Sequence, residues 1–238
     1  MQIMLTVVLV FSATAIILGL SRYAKKNPFS IHHLEYINTQ SKYQTLLMLV
    51  AIAVLAIIYA VSPTNFNTFL SFGNPSLSAS GVALFGIADG QSWLTLGSSL
   101  GLFITLLTAT FIYLQFRTSA KNIKQLIGFV PYIVLFSLSN SFGEEIIYRI
   151  GVIVPLFGSL EPQYIMLFSA IAFGAPHLRG MPNGIIGAVM AGVLGWLLAK
   201  SVLETHGIFW AWSIHFLQDM VIYSGFILNA LSTQTRET

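Results

Sequence analysis

Cysteine is absent from all 238 residues, and charge is scarce, with Asp, Glu, Lys and Arg together making up 8%. The missing cysteine excludes disulfides, a thiolate nucleophile, Cys-ligated zinc or iron–sulfur centres, and lipidation through Cys. The missing charge excludes an ordinary soluble surface, since soluble domains carry about 25% charged residues. What is present is apolar: 55% hydrophobic residues and a mean hydropathy of +0.79. Lipid as the solvent accounts for both numbers. A net charge of +3 and a pI near 9.2 would suggest nucleic acid in a polar protein. Here the 11 Lys and Arg sit mostly in short segments between apolar runs, where they act as topology signals. Nucleic acid is therefore not an expected partner.

Apolar runs near the roughly 20 residues that a bilayer core requires recur along the chain. The expected spans are about 3–20, 43–62, 98–116, 127–154, a short one at 164–176, 184–200 and 208–228. The fold class is thus all-α, a polytopic transmembrane helix bundle of about seven spans. No positive charge precedes the first run, whereas Arg22, Lys25 and Lys26 follow it. That order fits a retained span better than a cleaved leader. Loops 21–42 and 117–125 are basic, and the segment between the second and third spans carries only Asp89. The charge rule then puts the basic loops and the C-terminus inside, and the N-terminus and Asp89 loop outside. Small residues Gly184, Gly187, Ala188, Ala191, Gly192 and Gly195 share one helical stripe, which suits close packing against a neighbouring helix.

Three polar intrusions interrupt the apolar spans. The first is GEEIIYR, residues 143–149. On a helix Glu145 and Arg149 stand one turn apart with the acid first, the favourable order for an ion pair. Glu144 points about 100° away, alongside Tyr148, and is left without a local partner. An intramembrane carboxylate of that kind is what a general base requires. The second is FGAPH, residues 173–177, which puts His177 at the end of the short span. The third is HFLQD, residues 215–219. There His215 and Asp219 share a helix face, so the carboxylate can fix the imidazole tautomer by accepting its ring N–H.

Such groups escape lipid only by converging inside the bundle. Together they suit hydrolysis. Glu144 takes a proton from water, His177 shares that task or polarises the scissile carbonyl, and His215 with Asp219 stabilises the oxyanion. Glu144, His177 and His215 would also serve as a zinc site with an open position. The preferred scheme requires no cofactor, and the usual His-Glu-x-x-His signal is missing. Serines 139, 141 and 213 lie in no Gly-x-Ser-x-Gly context. A rival from another class keeps the same carboxylates for a proton-coupled transporter or a non-catalytic scaffold. No second copy of the Glu-Glu-x-x-x-Arg segment is present, which disfavours a repeat-built transporter.

Glu144-Glu145-x-x-x-Arg149, Phe173-x-x-x-His177 and His215-x-x-x-Asp219 resemble the three motifs of the CAAX protease and bacteriocin-processing family, also called CPBP or Abi. Its members are intramembrane endopeptidases related to the Ras-converting CAAX enzyme. The resemblance covers roughly residues 95–225. It divides the chain into 1–94, two spans plus an external loop, and 95–238, a catalytic core. It implies that Glu144 activates water with His177 as partner, that His215 and Asp219 form the oxyanion pair, and that Glu145, Arg149 and Phe173 support the site. The family is often called metal-dependent, whereas its best-understood mechanism resembles a glutamate-driven hydrolysis without metal. The implied substrates are membrane-embedded or lipid-anchored peptides or proteins, and some members serve in bacteriocin immunity or as scaffolds. The expected location is the bacterial cytoplasmic membrane.

Overall fold

The structure, a computed structural model, describes residues 2–179 and 184–237. Helices α1 (Gln2–Lys26), α2 (Glu35–Val61) and α4 (Trp93–Phe116) are long, and each contains an apolar stretch of membrane-spanning length. Short α3 (Pro63–Phe69) follows α2. A 3-10 segment, Arg117–Phe129, leads into α5 (Val130–Glu145), a π-turn (Ile146–Ile150) and α6 (Gly151–Leu156). Then come α7 (Pro162–Gly174) with a 3-10 extension (Ala175–Leu178), α8 (Gly184–Thr205) and α9 (Phe209–Glu237). The described residues contain isolated β-bridges but no strand.

Among the described residues six helical stretches are long and apolar enough to cross a bilayer: Gln2–Lys26, Glu35–Val61, Trp93–Phe116, Ile123–Leu156, Gly184–Thr205 and Phe209–Gln234. The chain is a multi-pass membrane bundle. The segment expected at 164–176 forms α7, but its 13 residues rise only about 20 Å, short of the hydrocarbon thickness. Side chains such as Phe11 on α1, Leu49 and Ile52 on α2, and Leu102 and Phe103 on α4 stand exposed, as lipid-facing residues do.

The helices meet where side chains are small. A Cβ on Gly174 would lie 2.6 Å from the Ala188 carbonyl oxygen, and one on Gly195 would lie 3.1 Å from the Phe173 Cβ. The expected stripe on α8 therefore receives α7. Gly97 of α4 seats the Trp210 ring of α9, and Gly225 of α9 seats Ile112 of α4. Gly143 of α5 receives Leu47 of α2 at 3.0 Å for an added Cβ. These approaches fix α5, α7 and α9, the three carriers of the polar intrusions, around one interior.

The segment between α2 and α4 folds back onto the α8–α9 turn. Asn74 N donates to Thr205 O at 2.8 Å, and Ile208 N donates to Ser71 O at 2.8 Å. Gly73 takes a φ of +67° there, and any Cβ would strike Thr205 O at 2.3 Å. Buried Lys200 pairs with Glu204, whose other oxygen accepts from the Trp93 indole N–H at 2.8 Å. Glu204 also accepts from the backbone and hydroxyl of Ser80. Every polar group in that cluster thereby has a partner, the condition for burying a lysine near lipid.

Candidate active site

The Glu-Glu pair ends α5 where the helix changes to the π-turn, a departure from the α ladder frequent at functional sites. The loosened ladder is satisfied from outside: Ser169 of α7 donates its hydroxyl to the Tyr148 carbonyl at 2.7 Å. Glu145 and Arg149 are fully buried and form the expected pair, with Nε to Oε2 and Nη2 to Oε1 both at 2.7 Å. Bidentate geometry is the strongest form of this contact. The guanidinium also lies over the Phe173 ring, 4.2 Å from its centroid.

Glu145 does more than neutralise Arg149. His215 Nδ1 stands 2.8 Å from Glu145 Oε1, across from α9 to α5. This corrects the expectation that Asp219 fixes the imidazole. Asp219 Oδ2 is 3.8 Å from Nε2, too far for a hydrogen bond, and Nδ1 is already taken by Glu145. The reason is tertiary. A shared face on α9 makes the His215–Asp219 contact available, but the buried Glu145 carboxylate offers a shorter, aligned acceptor.

Glu144 stands as the spacing implies. It forms no hydrogen bond with any described residue, its side chain keeps 20% exposure, and its Oε2 lies 3.7 Å from His215 Nε2. Tyr148, its neighbour one turn on, bonds instead with Thr14 of α1 at 3.2 Å between the two oxygens. Nε2 of His215 thus faces two carboxylates, Glu144 and Asp219, while Nδ1 is held by a third.

His177 lies on the 3-10 extension of α7, half-buried, with Nδ1 3.0 Å from the Phe173 carbonyl oxygen. No ion pair or hydrogen bond joins it to Glu144. Phe173 stands between the two histidines, its ring centroid 5.3 Å from that of His177 and 5.6 Å from that of His215. Of the expected set Glu144, His177, His215 and Asp219, the structure brings Glu144 and Asp219 to His215, with Glu145 beside them, and leaves His177 apart. His177 approaches through an aromatic ring. Among the described residues no three His, Asp or Glu side chains are grouped so as to hold a metal ion.

Sequence reasoning missed a polar set behind Asp219. Asn140 Nδ2 donates to Asp219 Oδ2 at 3.1 Å, and Gln44 Nε2 reaches both Asn140 Oδ1 at 3.4 Å and the Tyr223 hydroxyl at 2.7 Å. The available signal was an amide in each of two apolar spans, since such groups in lipid need partners.

Fold and site together describe a polytopic helical membrane protein with a buried carboxylate–imidazole centre. Residues 126–221 match the family described as type II CAAX prenyl endopeptidase, Rce1-like, and over that segment the resemblance to the CAAX protease family holds. The matched segment contains all three motifs and supports a CAAX-protease type of hydrolase at the level of the family. It begins later than the resemblance at 95–225, leaving α1 to α4 outside. No curated protein and no solved structure matches the chain.

Proposed function

We propose that this protein is an intramembrane endopeptidase that hydrolyses a peptide bond of a membrane-embedded or lipid-anchored substrate. The observation that carries the reading is Glu144. It is a carboxylate inside the bundle without a hydrogen bond to any described residue, 3.7 Å from an imidazole nitrogen, within the segment that matches the family. At that separation one water can touch both groups.

In this reading Glu144 takes a proton from the water, and the water oxygen bonds to the scissile carbonyl carbon. A proton on His215 Nε2 faces the resulting oxyanion, and the surrounding Glu144, Glu145 and Asp219 carboxylates offset the imidazolium charge. Collapse of the tetrahedral intermediate breaks the C–N bond, and Glu144 returns its proton to the leaving amine. His177, on the far side of Phe173, contacts the substrate carbonyl or shares the water. Arg149 and Phe173 hold Glu145 and the histidines in place.

The bacterial cytoplasmic membrane is the proposed location, with the basic loops inside. The test is hydrolysis of a membrane peptide by purified protein in lipid nanodiscs. Activity should be lost in Glu144→Ala and in His177→Ala while both variants remain folded. Full activity in both would overturn the mechanism. A Glu144→Gln variant that kept the whole cellular phenotype would favour a scaffold instead.

A further inference from the structure

The amides behind Asp219 are held in one orientation, and the reason lies at the far end of the chain of bonds. An ionised carboxylate only accepts hydrogen bonds, so the Asn140 side chain must turn its NH2 toward Asp219 Oδ2. Its oxygen then faces Gln44, which must in turn present its own NH2. Gln44 does so, and the same NH2 reaches the Tyr223 hydroxyl. The consequence is visible on the other side of the amide: Gln44 Oε1 is buried without a hydrogen-bond partner among the described residues, in a residue only 4% exposed. A buried amide normally turns to satisfy its oxygen. Gln44 is turned the way Asp219 needs.

The oxygen that Asn140 holds is also the one that faces the reacting imidazole. Oδ2 of Asp219 lies 3.8 Å from His215 Nε2. The relay thus aims this oxygen from behind, starting on α2, which lies outside the segment 126–221 that matches the family. Close packing of α2 on α5, with Leu47 against Gly143, keeps Gln44 in register with Asn140.

We propose that Gln44, acting through Asn140, is a positioning residue for Asp219, so that α2 completes the site of this chain. The activity arm of the test rests on the endopeptidase reading, and a second arm does not. The variants are Gln44→Leu, Asn140→Leu and the double substitution, with Gln44→Met in place of Gln44→Leu should the latter fail to fold. In nanodiscs with a membrane peptide, Gln44→Leu should lower kcat on the order of 10-fold with KM little changed, a split expected of misaimed chemistry rather than lost binding. The double variant should lose no more than Asn140→Leu alone, because the two act in series.

The second arm is the infrared absorption of the Asp219 carboxyl, isolated as the difference between the protein and Asp219→Asn. It should shift in both Gln44→Leu and Asn140→Leu, whether or not any substrate is cleaved. A shifted band in a chain that hydrolyses nothing would keep the relay and remove the endopeptidase reading. An Asp219 band unchanged in Gln44→Leu overturns the relay, as do strictly additive losses in kcat.

Discussion

His215 and Glu145 are joined through Nδ1 and Oε1 at 2.8 Å, between α9 and the end of α5. The same Oε1 accepts from Arg149 Nη2, so one buried carboxylate ties a cation on its own helix to an imidazole on another. An ion pair alone would survive exchange of its members. This one should not: Glu145→Arg combined with Arg149→Glu places a guanidinium against His215. The expected result is a protein without hydrolytic activity and with a lowered Tm. A folded exchange variant with activity near that of the original would show that the His215 bond is dispensable.

Removing one member of the pair should be worse for the fold than for any other residue of the site. Glu145→Ala leaves Arg149 buried, already with one unpaired nitrogen, Nη1. Breaking a buried pair this way costs about 3–5 kcal/mol. Thermal unfolding in detergent should report it as a large fall in Tm. A shift within a degree or two would mean that water reaches Arg149.

Glu144 should behave in the opposite way. It makes no hydrogen bond with any described residue and keeps 20% side-chain exposure, so Glu144→Gln should leave Tm nearly unchanged. Its loss as a base should lower kcat by about 100-fold or more. Parallel losses in stability and activity would return Glu144 to a structural role.

The seam between α7 and α8 gives a steric test. A methyl group on Gly174 would meet the Ala188 carbonyl oxygen at 2.6 Å and the Gly192 Cα at 3.2 Å, both backbone atoms. Gly174→Ala should therefore destabilise by about 1–3 kcal/mol and shift Phe173 and His177, which follow the same helix. Gly19→Ala on α1 meets nothing within 4 Å and serves as the control. Equal Tm values for the two variants would show that the seam yields freely.

Acidification should loosen the start of α2. His32, in the loop before that helix, accepts the Leu34 backbone N–H through Nδ1 at 3.0 Å. Burial, and then the neighbouring His33, hold its pKa below the ordinary value of 6.5. Because the folded chain favours the neutral ring, this contribution is complete above about pH 6.5 and is lost as pH falls through the lower folded value. Amide hydrogen exchange at Leu34, corrected for its intrinsic pH dependence, should accelerate in that window. Protection that stays constant there would show that the ring is not the acceptor.

Much of the candidate site was legible along the chain. Glu144, Glu145 and Arg149 are costly in lipid, so their presence in an apolar span announced an interior function, and helical spacing alone separated the paired acid from the unpaired one. The glycine and alanine stripe of α8 announced its neighbour in the same way. Spans were also legible, except that α7 is too short to cross by itself, because it gives way to a 3-10 extension after Gly174.

Partners across helices were a different matter. Periodicity places residues on a face but does not say which face of another helix it meets. His215 and Asp219 were bound to lie on one side of α9. Only the packing of α9 on α5 put Glu145 closer to the imidazole, and only α2 supplied Gln44. Local spacing thus decided which polar groups had to be hidden, because lipid penalises each one separately. The tertiary structure decided which group hides which, because a hydrogen bond depends on distances of tenths of an ångström that helix contacts alone set.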